Sequence, residues 1–193
     1  EALAGLGLAI VVGPLLAILI FRSGFLRRVL YPLLVVSQNI PVIVLAPILV
    51  IWMGFGIMPK VVVVALVGFF PIVVNTVEAL NNTDQEMVEL VKSMGAGQRA
   101  ILQKVLIPAA IPGFFSGLKI AATYAILGAV IGEWSGASSG LGIFINRSQA
   151  AFRLDQIFVA IVIIASLSIA LFGTVGLLAR VSSPWKHISK QGD

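Results

Sequence analysis

TDQEMVELVKSMGAGQRAILQKVLIP, Thr83 to Pro108, is the one long polar segment in a chain otherwise built of apolar runs. Thr83 with Glu86 three residues later has the capping-box pattern, in which side chains satisfy the first unpaired N–H groups of a helix. The spacing predicts a helix from there to Met94, with Met87, Val88, Val91 and Met94 on an apolar face and Glu86, Glu89 and Ser93 on the other side. Gly95 suits the left-handed residue that ends a helix. A second short amphipathic helix is expected next, with Ile101, Leu102, Val105 and Leu106 facing one way and Arg99, Gln103 and Lys104 the other, stopping before Pro108. A polar helical elbow held between membrane spans reads as a docking piece for a soluble partner.

Composition sets the class. The 193 residues are 59% hydrophobic and 11% charged, with mean hydropathy +1.08, whereas a soluble domain is about 25% charged. The expectation is an all-α, polytopic integral membrane protein. With no cysteine, disulfides, thiolate metal sites and thiol nucleophiles are excluded, and the single histidine, His187, stands in a polar tail. A net charge of +5 raises nucleic acid as a partner, but the basic residues cluster at the ends of apolar runs, the membrane pattern. The chain opens on Glu1 and enters an apolar run at once, so upstream residues, including a further span, are expected, and no separable signal peptide is seen.

Five spans are expected within a single transmembrane domain covering residues 1–193. The first is 2–21, about 30 Å as a helix and sufficient to cross a bilayer core. The second, 31–53, contains Pro32, Pro41 and Pro47 and the polar interruption Ser37-Gln38-Asn39, which argue against one straight helix. Met53 to Lys60 reads as a tight turn. The third span, 61–77, opens VVVVALV and ends in Asn75-Thr76; it is assigned as helix because a sheet edge cannot survive in lipid. The fourth, 117–134, and fifth, 157–179, are separated by the small, flexible loop SGASSGLG and by Arg147, Arg153 and Asp155. Residues 83–108 form the connecting elbow.

The basic residues orient the chain. One side takes Arg22, Arg27, Arg28, Lys92, Arg99, Lys104, Arg180, Lys186 and Lys190, and the other Lys60, Arg147 and Arg153. The positive-inside rule therefore places the elbow in the cytoplasm.

Glu89-Leu90-Val91, three residues, Gly95, nine residues and then Val105-Leu106-Ile107-Pro108 resembles the cytoplasmic signature of permease subunits of binding-protein-dependent ABC importers. In that family the pattern is Glu-Ala-Ala, three residues, Gly, nine residues, Ile-x-Leu-Pro. Glu89, Gly95 and Pro108 match, while Leu90 and Val91 replace the alanines, Val105 the isoleucine and Ile107 the leucine. From about Tyr31 to Trp185, SQNIPVIVLAPILVIWMGFG, GFFPIVVNTVEAL and FFSGLKIAATYAILGAVIGEWSGASSGLG resemble the nitrate, sulfonate and taurine branch, and most of all permeases assigned to uptake of a thiamine pyrimidine precursor.

The resemblance implies the partners: cytoplasmic ABC ATPase subunits, an external substrate-binding protein, a second permease subunit (an identical copy) and the lipid bilayer of a bacterial inner membrane, with no nucleic acid. It implies no cofactor in this chain, ATP and magnesium belonging to the ATPase, and no metal or catalytic residue. ATP-driven closure of the ATPase pair would move the elbow as a rigid body and bias the spans between inward-open and outward-open arrangements. Coupling residues would be Glu89, Gly95, Pro108, Met87, Val91 and Met94, with Glu89 facing a basic group on the ATPase.

The chain itself shows no phosphate-binding glycine loop with lysine, no metal-ligand cluster and no nucleophile–base pair, so it is not expected to be an enzyme. Ser37, Gln38, Asn39, Asn75, Thr76, Thr123 and Tyr124 are the polar residues inside spans; they either line one substrate path or bond neighbouring helices and carbonyls freed by Pro41 and Pro71. Glu133 and Trp134 are either ligands on that path or an interfacial anchor pair. Lys119 either snorkels to the inner interface or faces substrate. No arginine lies within a span, which favours a neutral or weakly basic heteroaromatic over nitrate or a sulfonate, with riboflavin a further alternative. A secondary transporter, with Glu78 or Glu133 carrying the coupling ion, and a membrane scaffold are the other classes.

Overall fold

A computed structural model describes residues 1–182; Trp185, Lys186, His187 and Lys190 of the expected tail lie outside the described residues. Every regular element among the described residues is helical, as lipid demands of a backbone whose N–H and C=O groups find no water. Four rods are long and apolar enough to span: α1 (Ala2–Arg22), α4 (Ile57–Asn81), the continuous rod Gln98–Trp134 and α9 (Leu154–Ser182). A fifth crossing is the broken pair α2 (Gly24–Ser37) and α3 (Val42–Met53), bent by 102°.

α4 is the centre of the bundle. Val63, Val64, Ile72, Val73 and Val77 are fully buried along it, so VVVVALV is helix in spite of its β-branched residues. Within the rod, α7 (Ile107–Trp134) runs antiparallel to α4 along small residues. Gly113 lies against Asn75 and Ala79, Gly117 against Pro71 and Ile72, Gly128 against Val64 and Gly132 against Lys60. A Cβ at Gly117 would overlap the Pro71 carbonyl, so the two backbones meet there. In lipid this close approach substitutes for the hydrophobic effect, because dispersion between well-fitted backbones is what favours helix over lipid contact. α1 packs parallel to α4 by the same device, Gly5 against Val64 and Gly13 against Ile72. Leu6, Ala9, Val64, Ile72, Leu118, Ala121, Ala125 and Val175 form the common core, and α9 joins through Val175 and Ala160 while most of its surface remains exposed.

Packing sorts the chain ends. Glu1 and Lys60 pair at 2.7 Å, bringing the starts of α1 and α4 to one end beside Gly132. At the opposite end Arg27 donates to Asn81 Oδ1 at 3.4 Å, joining the first turn of α2 to the last residue of α4.

Several expectations are corrected. The second run is not one straight helix, as its prolines suggest: it is two helices separated by Gln38 to Pro41, the first of which begins at Gly24 and not at Tyr31. The turn before α4 is confined to Gly54–Gly56, with Gly54 at φ +79°. Asn75 and Thr76 stand inside α4, which continues to Asn81. The segment 98–108 is not a separate short helix: α6 (Gln98–Ile101) passes through a π-helical turn, Leu102–Leu106, directly into α7. Pro108 lacks the N–H that would bond the Lys104 carbonyl and its ring crowds that oxygen; widening the turn, with Ile107 N–H bonded to Leu102 O, accommodates both.

Gly117→Leu should prevent the α4–α7 approach and remove about 3 kcal/mol or more of stability. Gly7→Leu, at a position with nothing nearby, should be neutral. Thermal unfolding of the purified protein in detergent compares the two.

Candidate functional site

Two places in the fold carry function-bearing chemistry, one at the basic end and one inside the bundle. At the basic end stands α5 (Gln85–Ser93). Its N-cap is Asp84, whose Oδ1 accepts from the Glu86 N–H at 2.9 Å, and not Thr83. The Thr83 hydroxyl instead donates to the Ala79 carbonyl at 3.2 Å, closing the end of α4. The helix ends one residue before Met94, and Gly95 follows at φ +84°. Gly95 N–H bonds Lys92 O at 3.0 Å and Ala96 N–H bonds Val91 O at 3.3 Å, the paired pattern of a Schellman cap.

α5 buries no residue. Met87 (55% exposed), Leu90 (63%) and Met94 (79%) lie along one side with half-buried Val91. Leu90, not Val88, completes this stripe, because it stands three residues from Met87 and four from Met94. The sequence pattern places Val88 on this face with Met87, Val91 and Met94, and leaves Leu90 out. Glu89 projects from the other side into solvent and makes no ion pair among the described residues. Beyond Gly95 the chain enters the 37-residue rod Gln98–Trp134, about 55 Å long. Ile101 and Val105 bury its foot. Pro108 sits at the first turn of α7, so the three motif residues Glu89, Gly95 and Pro108 mark an exposed helix, the turn that ends it and the base of a span.

Inside the bundle, the gap between α2 and α3 opens on a cavity of about 550 Å³ lined by Gln38, Val42, Phe70, Pro71, Asn75 and Tyr124 among others. A smaller cavity of about 130 Å³ adjoins it at Ser37 and Gln38. The break is self-sufficient: Gln38 and Asn39 N–H groups close the last carbonyls of α2, and the Asn39 side chain donates to Val35 O at 3.2 Å. Irregular backbone of this kind is tolerated at membrane depth where it borders a cavity. Pro71 withholds an N–H from the Val67 carbonyl on the cavity wall, and Asn75 Nδ2 donates to Pro71 O at 2.8 Å, leaving its own carbonyl free. Tyr124 is half exposed. Among the described residues no Asp, Glu, Lys or Arg lines either cavity.

The sequence candidates thus separate. Gln38, Asn75 and Tyr124 come together, with Ser37 next door. Asn39 is exposed outside the lining. Thr76 is buried and donates to Ile72 O at 2.6 Å, and Thr123 donates to Lys119 O at 3.1 Å, each serving its own helix. Lys119 lies over the Phe172 ring, 5.8 Å from its centroid, between α7 and α9. Glu133 and Trp134 are not part of the lining; both bind Gly142 at the other end of α7. Among the described residues no group of three or more His, Asp or Glu could hold a metal ion.

Residues 5–184 match the family described as binding-protein-dependent transport system inner membrane component. The chain is 43% identical over 182 residues to the formylaminopyrimidine transport permease protein ThiX of Halalkalibacterium halodurans, covering 94% of this chain and 73% of that one. It is 37% identical over 162 residues to the riboflavin transport system permease protein RibX of Chloroflexus aurantiacus, covering 84% and 60%. A solved chain of the MetNI methionine ABC transporter in an inward-facing conformation superimposes with TM-score 0.81 at 19% identity, over 94% of this chain and 90% of that one; at that identity the likeness is one of fold.

Gly95→Ala should cost about 1 kcal/mol through the left-handed backbone and speed local opening about fivefold. Gly97→Ala, at φ −72° with open space around it, should not. Amide hydrogen exchange at residues 94–97 measures both.

Proposed function

This chain belongs to the binding-protein-dependent transport system inner membrane component family, and from that premise we propose how it takes up its cargo and what the cargo is. It is the multi-pass membrane permease subunit of an ATP-driven ABC importer, and in this family ATP hydrolysis belongs to a separate subunit. α5 is the element that the ATPase grips. The observation that carries this is the exposed stripe of Met87, Leu90, Val91 and Met94 on a helix with no buried residue, joined through Gly95 to a rod that is itself a membrane span. An apolar helix face seated in a cleft of a partner is a standard mode of recognition. Glu89 on the opposite side meets a basic group of that cleft. The positive-inside rule places this end in the cytoplasm of a bacterial cell, with the inner membrane as the location, and ATP and magnesium are held by the partner.

The cargo is a small, flat, uncharged or weakly basic heteroaromatic. The cavity, within the range of about 300–1,000 Å³ usual for small-molecule sites, is free of charged side chains and offers one aromatic ring and two amides. Tyr124 stacks the ring of the cargo, and Gln38 and Asn75 read a mixed donor and acceptor edge such as a pyrimidine presents. The names of the two relatives, a formylaminopyrimidine and a riboflavin permease, favour this class over sulfonate or nitrate, whose charge would call for a cation in the wall. A second copy of the chain closes the open side of the cavity, and an external binding protein delivers cargo from the end that bears Lys60 and Arg147.

In a reconstituted complex, Gly95→Asp should leave the protein inserted while abolishing cargo-stimulated ATP hydrolysis, and Leu90→Glu should weaken ATPase capture about tenfold or more by burying a charge in the cleft. Normal stimulated hydrolysis in Gly95→Asp overturns the coupling role. Gln38→Ala and Asn75→Ala should each lower uptake about tenfold through one lost hydrogen bond in a closed site, with complex assembly intact and Asn39→Ala neutral. Uptake unchanged in both variants, or a binding protein that takes a sulfonate and no pyrimidine, overturns the cargo.

A further inference from the structure

The loop SGASSGLG after α7 is small-residue chain that by composition would swing freely, yet it is pinned. Glu133 Oε2 accepts the Gly142 N–H at 2.5 Å, and Trp134 Nε1 donates to the Gly142 carbonyl at 2.9 Å. Two consecutive residues at the end of α7 thus hold both polar groups of one peptide position at the start of α8 (Leu141–Ala150). The fit is reciprocal. A Cβ at Gly140 would overlap the Glu133 carboxylate, and one at Gly142 would press on Glu133, Trp134 and the Val130 carbonyl. Gly140 also sits at φ +133°, open only to glycine. At its far end α8 is tied to α9: with its amide oxygen toward Arg153, Gln156 accepts from the guanidinium at 2.9 and 3.1 Å and donates to buried Ser148 Oγ at 3.1 Å. Arg147 reaches back to the Ser138 carbonyl at 3.4 Å.

We propose that Glu133 and Trp134 are positioning residues that make α8 a rigid extension of the Gln98–Trp134 rod, so that displacement of α5 by the ATPase reaches the outer face of the protein as one movement of rod and α8. This rests on the importer function proposed above, for which α8 is the part of the outer surface that a docked binding protein feels. The carboxylate acts as a hydrogen-bond acceptor fixed in direction, not as a ligand for cargo or a carrier of a coupling ion. It has no opening to the cavity, and its partner is the backbone of its own chain. The geometry accounts for the order of residues: acceptor and donor side by side at the end of a helix, and a glycine nine residues on whose N–H and C=O both lie within reach.

The absence of cysteine in the sequence permits spin labels at two introduced cysteines, Gln98→Cys at the foot of the rod and Gln149→Cys on the exposed side of α8. In the assembled complex the distance between them should be narrowly distributed and the same with and without ATP. Glu133→Ala should broaden it, Glu133→Gln, which keeps an acceptor, should not, and Trp134→Phe should broaden it in part. Binding-protein-stimulated ATP hydrolysis should fall about tenfold in Glu133→Ala, as for a lost hydrogen bond that leaves the Gly142 N–H unpaired, with unstimulated hydrolysis and assembly unchanged. A wild-type distance that shifts with ATP, or a Glu133→Ala distribution as narrow as wild type, overturns the proposal. So does loss of stimulation in Glu133→Gln equal to that in Glu133→Ala, which would make charge the working property. Failure of the wild-type chain to bind an ATPase would instead count against the importer function, while the comparison of distribution widths in the isolated chain still decides the clamp.

Discussion

The approach of α7 to α4 governs the rest of the molecule. Without a water-driven force between spans, two helices stay together in lipid only where their surfaces fit more closely than lipid fits either. Gly113, Gly117, Gly128 and Gly132, with Ala121 and Ala125 between them, let α7 lie on the backbone of α4 over most of its length. The flanks of these same helices form two walls of the cavity: Phe70, Pro71, Val74 and Asn75 from one, Ile120, Tyr124, Leu127 and Ile131 from the other. One seam therefore fixes both the cavity and the rod that leads away from it, and a shift along the seam would alter the cavity and the position of α5 together.

What the sequence discloses follows from how local the cause is. Gly95 is legible because a helix that ends with polar residues to follow needs a left-handed residue, and the hydrogen bonds that satisfy it run only to Val91 and Lys92. The spans are legible because lipid leaves the backbone no alternative to helix. Thr83 and Asp84 are both good caps, and the choice between them depends on Ala79, whose free carbonyl takes the threonine hydroxyl. Pro108 reads as a stop because proline forbids an ordinary helical turn, and only the π turn before it, a rare local structure, lets the rod continue. The partners of Glu133 and Trp134 lie nine and eight residues away across a loop, a separation that no periodicity marks.

The polar residues of the spans divide by the number of groups each carries. A serine or threonine hydroxyl has a single proton, and in Ser116, Thr123 and Ser166 as in Thr76 it goes to the carbonyl four residues back. Such a residue is satisfied by its own helix wherever it stands, so its presence in a span says little about a path. A carboxamide carries two protons and an acceptor, and Asn75 uses one proton on Pro71 O with a carbonyl left over. The amides at the cavity, and not the hydroxyls along the spans, hold unused hydrogen-bonding capacity facing a space large enough to need it.

The same comparison of local and distant causes explains the form of the elbow. Two separate short helices would each be free to tilt, and a push on the first would be absorbed at the junction with the membrane. Here the second arm is the foot of a span, so force applied to α5 would act on a rod of 37 residues packed along the α4 seam. α5 itself is held at its two ends, by the Asp84 cap next to Thr83 and by the Gly95 cap, which fix its direction without burying its surface. The one irregular turn along the arm is the π turn at Leu102–Leu106, and buried Ile101 and Val105 brace it on the protein side.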